Sequence, residues 1–397
     1  MSGRLWRVLV GVALAVAAFN LRPAVASVGP LLGDIRAGLP MSPTVAGLLT
    51  SVPPACFAVI GTVAPRLVRR VGPATVVWMA MAALALGLAG RALAGGSAVF
   101  LVASAAALAG IGIGNVVMPI VVKRYFPQHV GVMTGVYSMA LTLGASLAAA
   151  ISVPLAEGLG GAWRVGLGFW AVPAVVAALA WSIVHTPRDD ASAAATAAVV
   201  PAGRITSSPT AWALSVFFGL QAAGAYIVLG WLPQIFRDAG VAPATAGLLL
   251  ALTPAVGIPL AFLMPTLAAR LPTQGPLAVA LSALGIAGYL GLCLVPATVS
   301  WLWALLLGVS QASFPLALTM IGLRSRSTGG VARLSAFTQG VGYLISIPGP
   351  ILVGVLYDHT AGWTAPLAFM AALLVPQAVA GVLAGRDRFV ESETVRA

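Results

Sequence analysis

Carboxylates are what this sequence has least of. Nine Asp and Glu stand against 21 Lys and Arg in 397 residues. All nine fall at the end of an apolar run, in a loop or in the tail: Asp34, Glu157, Asp189, Asp190, Asp238, Asp358, Asp387, Glu391 and Glu393. A membrane pump or symporter usually carries its proton on a buried Asp or Glu, and none of these is placed for that. Lys123 is the sole lysine. His129, His185 and His359 lie at loop edges, and Cys56 and Cys293 lie within apolar runs as packing residues. No cluster of His, Cys, Asp and Glu is left for a metal or a hydrolytic centre, and no disulfide is called for. Gly110, Gly112 and Gly114 lack the strand and the G-x-G-x-x-G spacing of a dinucleotide loop; they read as close helix packing. No enzyme, cofactor or metal is expected.

Apolar residues fill the space. They make up 60% of the chain, charged residues 8%, and the mean hydropathy is +1.02. This is the composition of a polytopic all-α membrane protein. Twelve spans are expected, near 6–28, 44–65, 73–92, 97–122, 131–155, 163–185, 210–233, 244–268, 276–296, 300–321, 334–356 and 363–384. With this topology 16 of the 21 Lys and Arg lie on one side, four on the other, and Arg22 inside a span. The positive-inside rule then puts both termini in the cytoplasm. The net charge of +12 is this asymmetry, and nucleic acid is not an expected partner. Arg4, Arg7, the apolar 8–19 and Ala24-Val25-Ala26 also have the form of a cleavable leader. Cleavage would leave an odd number of spans.

The expected organisation is a six-helix bundle over 1–185, a low-complexity cytoplasmic linker over 186–208, a second six-helix bundle over 209–385 and a tail over 386–397. A repeat supports it. Shifted by 200, residues 41–70 align without a gap to 241–270, with ten identities that include Pro43/Pro243, Gly47/Gly247, Pro54/Pro254 and Pro65/Pro265. Two related bundles about a midplane site are the plan of a transporter that opens to one side and then the other.

Each polar residue inside such spans is informative. Arg22 is the only Lys or Arg placed at depth, roughly 22 Å from Arg7 along a helix. A charge there costs about 2.5–3.5 kcal/mol on insertion scales. Arg22 either snorkels to the far headgroups or faces a cavity in which the substrate is its counter-ion. Pro23 loosens the backbone beside it. In a two-half transporter the first span of each three-helix unit lines the cavity, which brings in Asn20, Asn115, Gln221, Tyr226 and Gln311. Spans 5 and 11 add Tyr137, Gln339 and Tyr343. Each such residue can instead be helix-to-helix glue. Ile347-Pro348-Gly349-Pro350 is expected to interrupt span 11.

Ordered along the chain are Asn20-Leu21-Arg22-Pro23, Ala46-Gly47-Leu48-Leu49, Gly112-Ile113-Gly114-Asn115, Met133-Thr134-Gly135-Val136-Tyr137-Ser138, Gly219-Leu220-Gln221, Trp231-Leu232-Pro233, Phe314-Pro315-Leu316 and Gln339-Gly340-Val341-Gly342-Tyr343. On this set the chain resembles the major facilitator superfamily, and within it the cyanate permease/2-nitroimidazole transporter family. The resemblance implies a small planar solute of the size of cyanate or a nitroimidazole, and the expected substrate is a small polar solute, anionic or planar, with proton coupling open. The high Ala content and the use of Arg in place of Lys point to a GC-rich bacterial genome, so a monomer in the lipid bilayer of a bacterial cytoplasmic membrane is expected. The resemblance also implies the cavity lining used above. One departure concerns the loop between spans 2 and 3, where the superfamily has an Asp and this chain has Pro65. Arg66, Arg69, Arg70, Lys123 and Arg124 remain as gating candidates at helix ends, or are topology charges only. The alternative is a proton-coupled exporter of larger amphipathic drugs. It would need a buried carboxylate, which is missing, and the glycine-proline antiport motif is absent from span 5.

Overall fold

The computed structural model describes residues 3–160, 162–184, 204–326 and 328–394, with the backbone alone at 3–4, 58, 61–66, 69, 123, 130–131, 134, 328–329, 332 and 394. Most of the expected linker, with Arg188, Asp189 and Asp190, lies outside the described residues, as do His185 and Arg396.

The described residues are almost entirely helical, and none is in a strand. The helices are α1 (Gly3–Asn20), α2 (Pro23–Ala26), α3 (Val28–Gly38), α4 (Pro43–Val71), α5 (Pro73–Leu93), α6 (Ser97–Tyr125), α7 (Val130–Gly158), α8 (Trp163–Gly168), α9 (Ala171–Val184), α10 (Pro209–Asp238), α11 (Pro243–Arg270), α12 (Gly275–Leu294), α13 (Ser300–Ser310), α14 (Ser313–Leu323), α15 (Thr328–Ser346), α16 (Pro348–Thr360), α17 (Thr364–Ala384) and α18 (Val390–Thr394). Eleven helical runs among the described residues are long and apolar enough to cross a membrane. The 29-residue α4 falls between the first and second of these and makes up the twelve-span plan. Both copies of the sequence repeat start a helix at the paired proline, Pro43 in α4 and Pro243 in α11.

Contacts divide the chain into two compact units. One holds residues up to Met41, Val59 into the linker, and Pro243–Ala251; the other holds Ser42–Ala58, the linker's end to Ala242, and Leu252 onward. α4 and α11 therefore contribute to both. The repeat's glycine pair explains how each is seated. In the first unit, a Cβ on Gly247 would lie 2.6 Å from the carbonyl oxygen of Ala149 in α7. In the second, a Cβ on Gly47 would lie 2.8 Å from that of Pro350 in α16. Backbones meet at both places because nothing stands between them.

Among the described residues four spans are broken, and each break has a proline just beyond it. Proline has no N–H, so the carbonyl four residues earlier loses its helical donor. Pro23 releases Phe19, Pro173 releases Phe169 and Pro315 releases Gln311; the turns fall at Leu21–Arg22, Phe169–Trp170 and Gln311–Ala312. At two of the breaks a tighter bond reaches the freed carbonyl: Val172 N donates to Phe169 O (3.1 Å) and Phe314 N to Gln311 O (3.0 Å). At the first, Leu21 N tightens onto Ala18 O (3.1 Å). The fourth break is the expected one in span 11: α15 ends at Ser346 and α16 begins at Pro348.

Candidate functional site

The first unit builds its polar site on the break in span 1. Phe19 O, freed by Pro23, presses on α7, where a Cβ on Gly144 would overlap it. Leu21 occupies the space that a side chain at Gly114 of α6 would need. Asn20 is 2% exposed, and its Nδ2 donates to Val16 O (2.8 Å) and to Pro173 O of α9 (3.0 Å). The amide hydrogens of Asn20 thus serve the fold, joining two broken spans. Arg22 sits at the turn itself with φ −124° and ψ −31°, half-buried. Its guanidinium makes no hydrogen bond or ion pair with any described residue. Asn115 follows Gly114 on α6 and is half-buried, as is Tyr137 on α7.

One expectation is corrected here. Arg22 is not the only cation inside a span. Arg91, in the last turn of α5, is 1% exposed. Its Nη1 donates to Ala24 O (2.5 Å), its Nε donates to Ser104 Oγ (2.8 Å), and its guanidinium lies 5.8 Å from the centre of the Phe100 ring. In the sequence Arg91 ends an apolar run, where an interfacial arginine is ordinary. What hides it is its place one residue inside the end of the expected span 73–92, where the sequence alone counts it with the charges of the following loop.

The second unit brings Gln221, Tyr226, Gln311 and Tyr343 into one neighbourhood. Gln221, 5% exposed on α10, donates from Nε2 to Gln311 Oε1 at the break of span 10 (3.2 Å). Its own Oε1 is buried without a hydrogen-bond partner. Beside this pair runs a chain of rings. Phe57 packs on Tyr343 (centroids 5.5 Å apart) and Tyr226 (6.4 Å), and Phe218 packs on Tyr343 (5.2 Å) and Phe314 (6.0 Å). Phe57 comes from the part of α4 that belongs to this unit, and only folding reveals that company. Gln339 is half-buried and donates to Ser335 Oγ within its own helix (2.8 Å).

Of the gating candidates, Arg70 is exposed and Arg124 half-buried, 6.0 Å from the Tyr125 ring centre. The side chains of Arg66, Arg69 and Lys123 lie outside the described residues. Arg324, read from the sequence as one loop charge among several, is instead buried to 3%. Neither cysteine is in a disulfide; Cys56 is half-buried and Cys293 lies on an exposed face of α12.

Comparison with known proteins matches this architecture. Residues 8–347 fit the model of the Major Facilitator Superfamily, and the chain belongs to that superfamily of membrane transporters. It is 37% identical over 382 residues to an uncharacterised transporter of Bacillus subtilis, covering 96% of this chain and 94% of the relative. It is 34% identical to the 2-nitroimidazole transporter of Escherichia coli (98% of each chain) and 34% identical to the cyanate transport protein of the same organism (91% of this chain, 93% of the relative). In fold it is similar to a crystal structure of a bacterial homologue of the human lysosomal transporter Spinster, in an inward-facing and unoccupied conformation. The TM-score is 0.77 at 17% identity over 98% of both chains. The protein is a multi-pass transporter of small solutes, and not an enzyme.

Proposed function

We propose that this transporter carries a small solute with an anionic or strongly accepting group, and that Arg22 is the residue that receives it. The observation behind the reading is a guanidinium, set at a helix break inside a span, that bonds to no described side chain or carbonyl. Holding a charge in such a place is costly, and a ligand that supplies the opposite charge offsets the cost. Arginine presents a planar fork of donors suited to a carboxylate or another planar acceptor. The names of the two Escherichia coli relatives, one a cyanate transport protein and one a 2-nitroimidazole transporter, point to solutes of this size. Gln221, with a buried unpartnered carbonyl oxygen, is the candidate that accepts a donor from the solute. In this reading the chain is a monomer in the cytoplasmic membrane with both termini inside, and the two related bundles alternate access to the site.

Purified protein tests the reading by ligand-induced thermal stabilisation. The panel is cyanate, small carboxylates and 2-nitroimidazole, against wild type and Arg22→Gln. At a concentration of about 100 Kd a ligand adds about 2.7 kcal/mol of stability. The expected result is a shift for one chemical class in wild type and none in Arg22→Gln, whose unliganded melting point is unchanged. Equal shifts in both proteins would remove Arg22 from the site.

A further inference from the structure

We propose that Arg91 is a positioning residue for Arg22; the proposal rests on the reading of Arg22 as the substrate-receiving cation. Span 1 does not run through position 22 as a helix. It stops at Asn20, turns, and resumes as the single turn α2, Pro23–Ala26. The direction of Arg22 is set by where that short turn sits, because Val25 N and Ala26 N both close onto Arg22 O (3.0 Å each). One turn of helix has little stability of its own, so neighbours must hold it.

Its upstream side is held by Asn20, Phe19 and Leu21, against α9, α7 and α6. Downstream, α2 runs through Ser27, whose backbone is in the αR region, into α3, and Arg91 grips the turn from the side. A charge-assisted bond runs from Nη1 to the carbonyl of Ala24, two residues past Arg22. Arg91 is itself fixed: Nε donates to Ser104 Oγ, and the Ser104 hydroxyl donates to Phe100 O (2.7 Å). The chain of contacts from α6 through Arg91 to α2 is therefore continuous, with Ser104 buried and Arg91 1% exposed. A bond from a charged donor to a carbonyl is stronger and shorter than a neutral one. That strength suits a one-turn segment on which a second cation is mounted. Lysine would keep the charge but could not grip both oxygens with a rigid fork.

The test reads the geometry of position 22 without needing the natural substrate. In the full-length protein with Cys56→Ser and Cys293→Ala, Arg22→Cys is labelled in membranes with an anionic methanethiosulfonate reagent. Ser138→Cys, on the exposed face of α7, is the control. Arg91→Met and Arg91→Lys are expected to change the labelling rate at position 22 by about tenfold, the scale of one lost charge-assisted bond. Ser104→Ala, which keeps Arg91 but frees its Nε, is expected to give a smaller change in the same direction, and carries the test if the Arg91 variants do not reach the membrane. The rate at the control position 138 is expected to stay within about twofold. A rate at position 22 unmoved in Ser104→Ala and Arg91→Lys overturns the proposal. So does an Arg91→Lys protein that matches the Arg91 parent while Arg91→Met does not, since charge alone would then suffice. Uptake of cyanate and 2-nitroimidazole by Arg22→Gln is measured alongside. Full uptake removes the reading that the proposal rests on, and the proposal with it. Lost uptake with unmoved labelling overturns the role of Arg91 alone.

Discussion

Three arginines have very different company, and what they touch decides what each is worth. Arg324 follows α14 and is held by neutral oxygens: Ala384 O (3.1 Å), Gly385 O (3.0 Å) and Gln274 Oε1, at the end of α17 and the start of α12. Burial lowers its pKa, and the charge of Asp387 acts in the opposite direction. The ion pair with Asp387 is 3.4 Å long, and Asp387 is 74% exposed. An exposed partner contributes little, so the carbonyls at the end of α17 are its main anchors. Arg324→Met should cost about 3 kcal/mol, because those buried acceptors lose their donor. Asp387→Asn should cost less than about 1 kcal/mol. Melting points of the two variants in one detergent check the order; equal losses would mean that the ion pair carries the site. Arg22 was legible in the sequence because it interrupts an apolar run. Arg91 and Arg324 were not, since each sits at the end of a run and only the packed helices show that it turns inward.

At the level of the helix, the question is why some prolines break a span and others do not. Pro119, Pro154, Pro233 and Pro376 lie inside helices that continue through them. Pro23 does not, and the difference at that site is a glycine opposite. Gly144 lets α7 come up against the carbonyl that Pro23 released. The two glycines that admit the break differ in what they face. A Cβ at Gly144 meets backbone, Phe19 O, whereas one at Gly114 meets the tip of Leu21, which can swing aside. Gly144→Ala should therefore cost about 1–3 kcal/mol and Gly114→Ala well under that. The melting points check this directly; a harmless Gly144→Ala would mean that the break does not depend on the close approach. The prolines were readable from the sequence, and the break in span 11 was expected on them. The breaks at Arg22 and Gln311 also need their neighbours, which no local pattern contains.

Over the whole molecule, charge and hydropathy carry most of the plan. The apolar runs of the sequence are the helices of the structure, and the repeat at 41–70 and 241–270 reappears as α4 and α11. The placement of Lys and Arg predicts that a green fluorescent protein fused after residue 397, or inserted near residue 195, fluoresces, and that alkaline phosphatase at the same points is inactive. The opposite pattern would invert the orientation. Less legible is the tail. Glu393 of α18 accepts from Thr210 Oγ1 (2.8 Å), Thr210 N (3.2 Å) and the Ser208 hydroxyl at the start of the 30-residue α10. A carboxylate at a helix N-terminus is favourable, yet nothing near Glu393 in the sequence names a partner 183 residues away.

The break in span 1 also bears on descent. Replacing Pro23 by a residue with an N–H would give Phe19 O a helical donor and draw the carbonyl back into the helix. Only then would position 144 be open to a side chain. Pro23 and Gly144 therefore constrain the order in which a lineage can change them, the proline first and the glycine after. Chains that have lost the proline are where a larger residue at position 144 should first appear.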